Sequence, residues 1–267
     1  MAISPIFDPK AKGRPMRVAA FMSGSGTNIR KLIQCQRELE REQGGTPFKV
    51  LFIFSDRSDG GSSGEEIALE NGLPYFSYDI RRFHALRSIN RSALAAEGLA
   101  VRREYDRLAG RLAAAFEIDV IALGGYMSYI TLGGCVNVHP ADLSILTPDG
   151  RRKYVGGHAV RDAIESGEQA LRASTLWTDQ GVDTGPLLMV SAPLLVTLPL
   201  PLEKLVADRD HFQHVVDEHQ EGLKEAGDWR IFPRTIEMIA RGRFGLDEDN
   251  RVYVDGVPVP EGYREEG

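Results

Sequence analysis

The chain has 267 residues, 42% hydrophobic and 26% charged, with a formal net charge of -6 at pH 7. That is ordinary for a globular protein with a sizeable core, and the acidic balance speaks against a nucleic-acid binder, which carries a basic face. No apolar run reaches the roughly 20 residues that cross a bilayer, no secretory core opens the sequence, and Cys35 and Cys135 form neither a disulfide framework nor a metal spacing. Small-molecule partners, no membrane and a cytoplasmic setting are therefore expected.

In chain order, residues 1–16 have the composition of a tail, ahead of a single folded domain over 17–267. RVAAFM enters SGSGTN (23–28), and IRKLIQCQREL follows with helical periodicity, which predicts a strand, a Gly-rich turn and a helix. FKVLFIFSD (48–56) is a second apolar strand, EEIALENG (65–72) a short helix stopped by Gly72, and LPYFSYD a third strand. The stretch from Ala85 to Phe116 suits one or two helices, with a break expected at Gly98. IDVIALGGYM (118–127) and CVNVHP are further buried strands.

Beyond His139 the pattern loosens. Residues 144–155, with Pro148, Gly150 and the basic run Arg151-Arg152-Lys153, suit a mobile flap whose charges are solvated. HAVRDAIESG predicts a helix, ASTLWT and LLMVSAPLLV two strands, and LEKLVADRDHFQHVVDEHQEGLKEAG one amphipathic helix. IFPRTIEMIARG reads as another helix, and RFGLDEDNRVYVDG as a hairpin. The fold class is α/β: a mostly parallel, doubly wound sheet with helices on both faces, then C-terminal helices and a hairpin. In such sheets ligands bind beyond the carboxyl ends of the strands, where SGSGTN, GGYMS and NVHP all fall.

Each candidate site has a plain alternative. SGSGTN, with Ser25, Gly26, Thr27 and Asn28, is a plausible anion cradle, since small residues admit close approach and free helix N–H groups favour phosphate. A turn capped by Thr27 or Asn28 explains the same residues. Asn137 and His139, two apart in an extended strand, project from one face. They are either a polar cap on the strand or a pair that reaches one oxyanion, with His139 also handling a proton. Asp183, in DQGVDTGP, is a turn residue or a carboxylate that raises and orients an imidazole. The group His211, His214 and His219 lacks any zinc spacing and suits a solvated helix face.

Taken together and in order, SGSGTN, GGYMSYI (124–130), NVHP, GVDTGP and the tail DWRIFPRTIEMIARG…VYVDGVPVPEGY resemble the folate-dependent formyltransferase family, over about 17–263. The resemblance implies formyl transfer from 10-formyltetrahydrofolate, as co-substrate and without a metal, to a primary amine. Glycinamide ribonucleotide is the first choice of acceptor; an amino sugar or nucleotide amine is the alternative. Hydrolysis of the formyl folate, or a non-catalytic folate- or nucleotide-binding module, comes third. It further implies Asn137, a protonated His139 and Asp183 as catalytic residues, and Ser25 to Asn28 on the acceptor's phosphate. Arg102, Tyr126, Met127, Ser128, Ile130 and Val182 would lie at the folate, and Asp228 would contact the acceptor where the family usually carries Glu. Ser128 stands for a common arginine, Leu176 for a frequent histidine, and the segments 144–155 and 83–102 are longer than the family pattern. Oligomeric state is left open, a homodimer among the options.

Overall fold

The computed structural model describes residues 2–88 and 96–264, the side chains of 96 and 97 excepted. In chain order the described elements are β1 (Ser4–Pro5), α1 (Pro9–Lys12), β2 (Met16–Met22), α2 (Thr27–Gln43), β3 (Phe48–Ser55), α3 (Gly64–Asn71), β4 (Tyr75–Ser77) and α4 (Ile80–Ala85). Next come α5 (Ala96–Ala115), β5 (Val120–Leu123), β6 (Cys135–His139), α6 (Ala159–Glu165), β7 (Ala170–Leu171), β8 (Ser174–Trp177), β9 (Leu187–Val190) and β10 (Leu194–Leu195). The chain continues with α7 (Leu202–Ala207), α8 (Arg209–Leu223), a π-helical turn (Lys224–Asp228), α9 (Trp229–Ala240), β11 (Phe244–Leu246), β12 (Val252–Val254) and β13 (Val257–Pro258).

These elements gather into two compact units. The first holds residues 1–6, 138–235 and 243–267; the second holds 7–137 and 236–242. The boundary falls inside β6, between Asn137 and Val138.

In the second unit the strands run β4-β3-β2-β5-β6, every neighbouring pair parallel. Their near-continuous apolar runs are what two-sided cover demands. Ala19 and Phe21 of β2 share a core cluster with Phe52, Phe54, Ile121, Leu123, Cys135 and Ala109 of α5. On the opposite face Met22 lies beside Gly26 and the start of α3. Period-two alternation thus gives each face its own helices. Chain order reverses between β2 and β5, the switch point at which such sheets open a crevice beyond their strand ends.

In the first unit β8 and β9 are antiparallel, β7 pairs with β10, and β1-β11-β12-β13 form a separate antiparallel sheet. Leu143, Leu176, Leu187 and Val190 make a small apolar cluster.

Several elements depart from expectation. Within the expected tail, Ser4 and Pro5 pair with Leu246 and Gly245, Phe7 is buried, and Asp8 caps α1 through the N–H groups of Lys10 and Ala11. Gly98 does not break its helix; it lies within α5. Residues 89–95 of the extended segment lie outside the described residues. The run 187–196 splits into β9 and β10 around Ser191-Ala192-Pro193, because proline supplies no ladder N–H. The long amphipathic helix breaks at Asp208, whose extended backbone (φ -104, ψ 94) ends α7 while its carboxylate caps α8 at His211. A π turn then precedes α9, which begins at Trp229 and tolerates Pro233 one turn in.

Candidate active site

In the second unit, β2 delivers the chain into Ser23 at the switch point. Ser23 is buried; its N–H donates to the Gly125 carbonyl at 3.1 Å, and its Oγ accepts from the Met127 N–H at 2.8 Å. These bonds fix the β2 and β5 end loops to one another. Gly26 is the N-cap of α2 at φ 66. A Cβ there would sit 2.5 Å from Met22 Cε and 2.6 Å from Ile67 Cδ1, so the left-handed turn and the close packing both require glycine. No side chain caps α2. The alternative of a Thr27 or Asn28 cap is thereby corrected, and the first N–H groups of a 17-residue helix carry no side-chain cap. Asn28 Oδ1 is buried with no hydrogen-bond partner.

The residues assigned to folate divide by exposure. Met127 is 77% exposed and Ser128 half-buried, whereas Tyr126 and Ile130 are part of the core cluster. Arg102 is only 2% exposed. Its Nε contacts both carboxylate oxygens of Asp106 at 3.2 Å, and its Nη2 donates to Tyr126 Oη at 3.3 Å. Asp106 in turn accepts from the N–H and Oγ1 of Thr131 at 2.7 and 2.8 Å. Arg102 therefore braces the 126–131 loop from beneath and shows almost no surface to a ligand. Burial raises the Tyr126 phenol well above its ordinary value, and Asp56 and Asp106 add to the rise. Ser128 Oγ donates to Asp56 Oδ2, a buried carboxylate that the sequence reading passed over.

In the first unit, β6 ends on His139, 5% exposed. The imidazole Nδ1 lies 3.5 Å from Asp183 Oδ2, and Nε2 lies 3.2 Å from the Tyr154 carbonyl. Asp183 sits at φ 54 and its Oδ2 accepts from the Gly156 N–H at 2.9 Å. Val182 beside it is exposed. Two residues back on β6, Asn137 is half-buried, and strand geometry puts it on the His139 side of β6.

The expected flap makes defined contacts here. Leu146 and Arg152 form a β-bridge, Tyr154 is buried, and residues 152–156 hold the His139–Asp183 pair. Arg151 and Lys153 remain on the surface with Asp149 and Glu168. Arg152 instead turns inward, and nothing in RRK marks which of the three basic residues does so. Asp228 is buried at the end of the π turn. The helical histidines stay apart from this chemistry: His214 pairs with Glu218, and His219 Nδ1 meets the Val215 carbonyl at 2.7 Å. Among the described residues no group of three or more His, Cys, Asp or Glu is placed to hold a metal ion, and no helix is long and apolar enough to cross a membrane.

The protonation of His139 also departs from expectation. Burial lowers its pKa and outweighs the Asp183 carboxylate and the Tyr154 carbonyl, which raise it, while Arg152 lowers it further. The ring is neutral at rest near pH 7. A histidine depressed in the folded state stabilises the fold fully above its unfolded pKa of about 6.5, and that contribution is lost as pH falls through the folded value. Urea unfolding from pH 7 downward is expected to show wild type losing stability below about 6.5 more steeply than His139→Gln; parallel curves would contradict the assignment.

A formyl transferase family model matches residues 16–207. The phosphoribosylglycinamide formyltransferase of Haemophilus influenzae is 24% identical over 258 residues, covering 94% of this chain and 99% of that protein. The trifunctional purine biosynthetic protein adenosine-3 of Drosophila melanogaster is 28% identical over 236 residues, 86% of this chain. The chain spans 14% of that trifunctional protein's length. Among solved structures, the phosphoribosylglycinamide formyltransferase of Coxiella burnetii superposes with a TM-score of 0.65 at 21% identity, covering 95% of this chain and 100% of that one.

Proposed function

The chain belongs to the formyl transferase family, and from that premise we propose that it transfers the formyl group of 10-formyltetrahydrofolate to a primary amine, with glycinamide ribonucleotide as the acceptor. The observation that carries the chemistry is the buried His139–Asp183 pair, 3.5 Å apart, at the end of the strand that also bears Asn137. Two named relatives act in purine biosynthesis or on phosphoribosylglycinamide, which supports the choice of acceptor.

The formyl folate supplies a carbonyl carbon open to attack. As the amine nitrogen bonds to that carbon, the Asn137 amide donates to the developing oxyanion. His139, neutral at rest, takes the proton that the amine sheds, and Asp183 stabilises the imidazolium so formed. The ring then returns the proton to N10 of the folate as the C–N10 bond breaks, so the reaction is proton-neutral. The exposed Met127 offers apolar surface to the folate, and Arg102 holds the loop that carries Met127 without touching it. The open start of α2 takes the acceptor's phosphate.

A second reading, another amine as acceptor, draws on Leu176. It stands where the family often carries histidine, and it is packed into the cluster with Leu143, Leu187 and Val190. Turnover of 10-formyltetrahydrofolate with glycinamide ribonucleotide, with amino sugars and nucleotide amines, and with no amine separates the readings. Glycinamide ribonucleotide is expected to give the highest kcat/KM; formate release without amine would mark a hydrolase instead.

The phosphate assignment has its own test. Gly26 is too tightly packed for a clean variant, whereas Ser25 is exposed. Ser25→Asp is expected to raise the acceptor KM about tenfold by placing a like charge at the open helix end, and to leave the folate KM unchanged. Equal weakening of both substrates would remove this assignment.

A further inference from the structure

The 183–185 turn is held in a conformation it would not keep alone. Asp183 has a left-handed backbone, φ 54, which a non-glycine residue keeps only under outside restraint. Gly185 passes so close to β8 that a Cβ would lie 1.9 Å from the Trp177 carbonyl oxygen. The restraint comes from Arg152: Nη1 donates to the Asp183 carbonyl and Nη2 to the Gly185 carbonyl at 2.7 Å. One planar fork thus grips both ends of the turn. Each of these groups belongs to the same compact unit.

We propose that Arg152 is a positioning residue for the transfer reaction: its guanidinium fork fixes the 183–185 turn so that the Asp183 carboxylate stays against His139. The inference rests on the reading that this pair runs formyl transfer. With the fork gone, Asp183 relaxes toward the right-handed basin and its carboxylate swings off the imidazole. The charged groups that act on the ring are Asp183, which raises its pKa, and Arg152, which lowers it after burial has done so. Arg152 therefore carries two separable properties, a shape and a charge.

Arg152→Lys keeps the charge and removes the fork. Its kcat is expected to fall about 10- to 100-fold, the range that a displaced catalytic group produces, with KM for both substrates unchanged and the thermal midpoint close to wild type. Because Asp183 is then withdrawn while the positive charge remains, the His139 titration seen by NMR of the ring should move to lower pH than in wild type. The loss should not multiply with that of Asp183→Asn, since both act through one carboxylate. If the lysine chain fails to fold, Arg152→Gln is read by the same cycle with Asp183→Asn. An unmoved His139 titration, a wild-type kcat or fully multiplicative losses would each overturn the proposal. The NMR measurement needs no acceptor. A shifted titration in a protein that formylates no amine would retain the clamp and reject the transfer reading; active wild type with an unmoved titration would do the reverse.

Discussion

Replacing His139 with alanine is expected to lower kcat by about 10²–10⁴-fold, the usual contribution of a positioned acid–base group, with little change in folate affinity. The ring is the one titratable group at the end of β6 that rests neutral and has a carboxylate 3.5 Å from Nδ1. It can therefore take a proton without first losing one, and the charge it gains has a partner already in place. Asp183→Asn keeps the shape of the turn but removes that partner, so its loss should overlap with that of His139→Ala. A double-mutant cycle in kcat/KM should return far less than the product of the two single losses. Independent, multiplicative effects would mean that the pair is a polar cap on a strand end.

Asn137→Ala is expected to cost about 10²–10³ in kcat, the range for one lost oxyanion donor. Unlike the histidine variant, it should leave the pH profile in place, because an amide does not titrate between pH 5 and 9. Stopped-flow or steady-state profiles of the two variants therefore separate charge stabilisation from proton transfer. A fall in folate affinity that matches the fall in kcat/KM would assign Asn137 to ground-state binding instead.

The parallel sheet was legible because its strands announce themselves. FKVLFIFS and RVAAFM are too apolar for any strand but one covered on both faces, and Gly72 closes its helix in the left-handed conformation expected of it. The candidate site was legible as residue types: an amide and an imidazole at i, i+2 on a strand, and an aspartate in a Gly-rich turn. What escaped was whatever depends on competition between long-range terms. The sign of the His139 shift is a contest between burial and the Asp183 charge, and burial is not written in NVHP. Arg152 was hidden for a related reason, since RRK in a Pro- and Gly-containing loop carries no mark of which guanidinium turns inward. Arg102 is buried with Asp106, one helical turn on, in an ion pair that looks in sequence like an exposed i, i+4 pair. Asp208 did carry a signal, a capping residue ahead of a polar first turn, within a pattern that otherwise favoured one long helix.

Pairing of Ser4 and Pro5 with Gly245 and Leu246 has a practical side. Those two residues occupy one flank of β11, whose other flank is taken by β12. Proline is a fitting last member of such a ladder, because it offers no N–H to a further strand. Trimming the chain to Arg17, as its composition invites, would uncover the backbone of Gly245 and Leu246 and leave an unblocked strand edge ready to recruit a second molecule. Preparations that begin at the apparent domain start would then self-associate through that edge while the His139–Asp183 pair stays intact, and turbidity in them would report a missing end-strand instead of a misfolded enzyme.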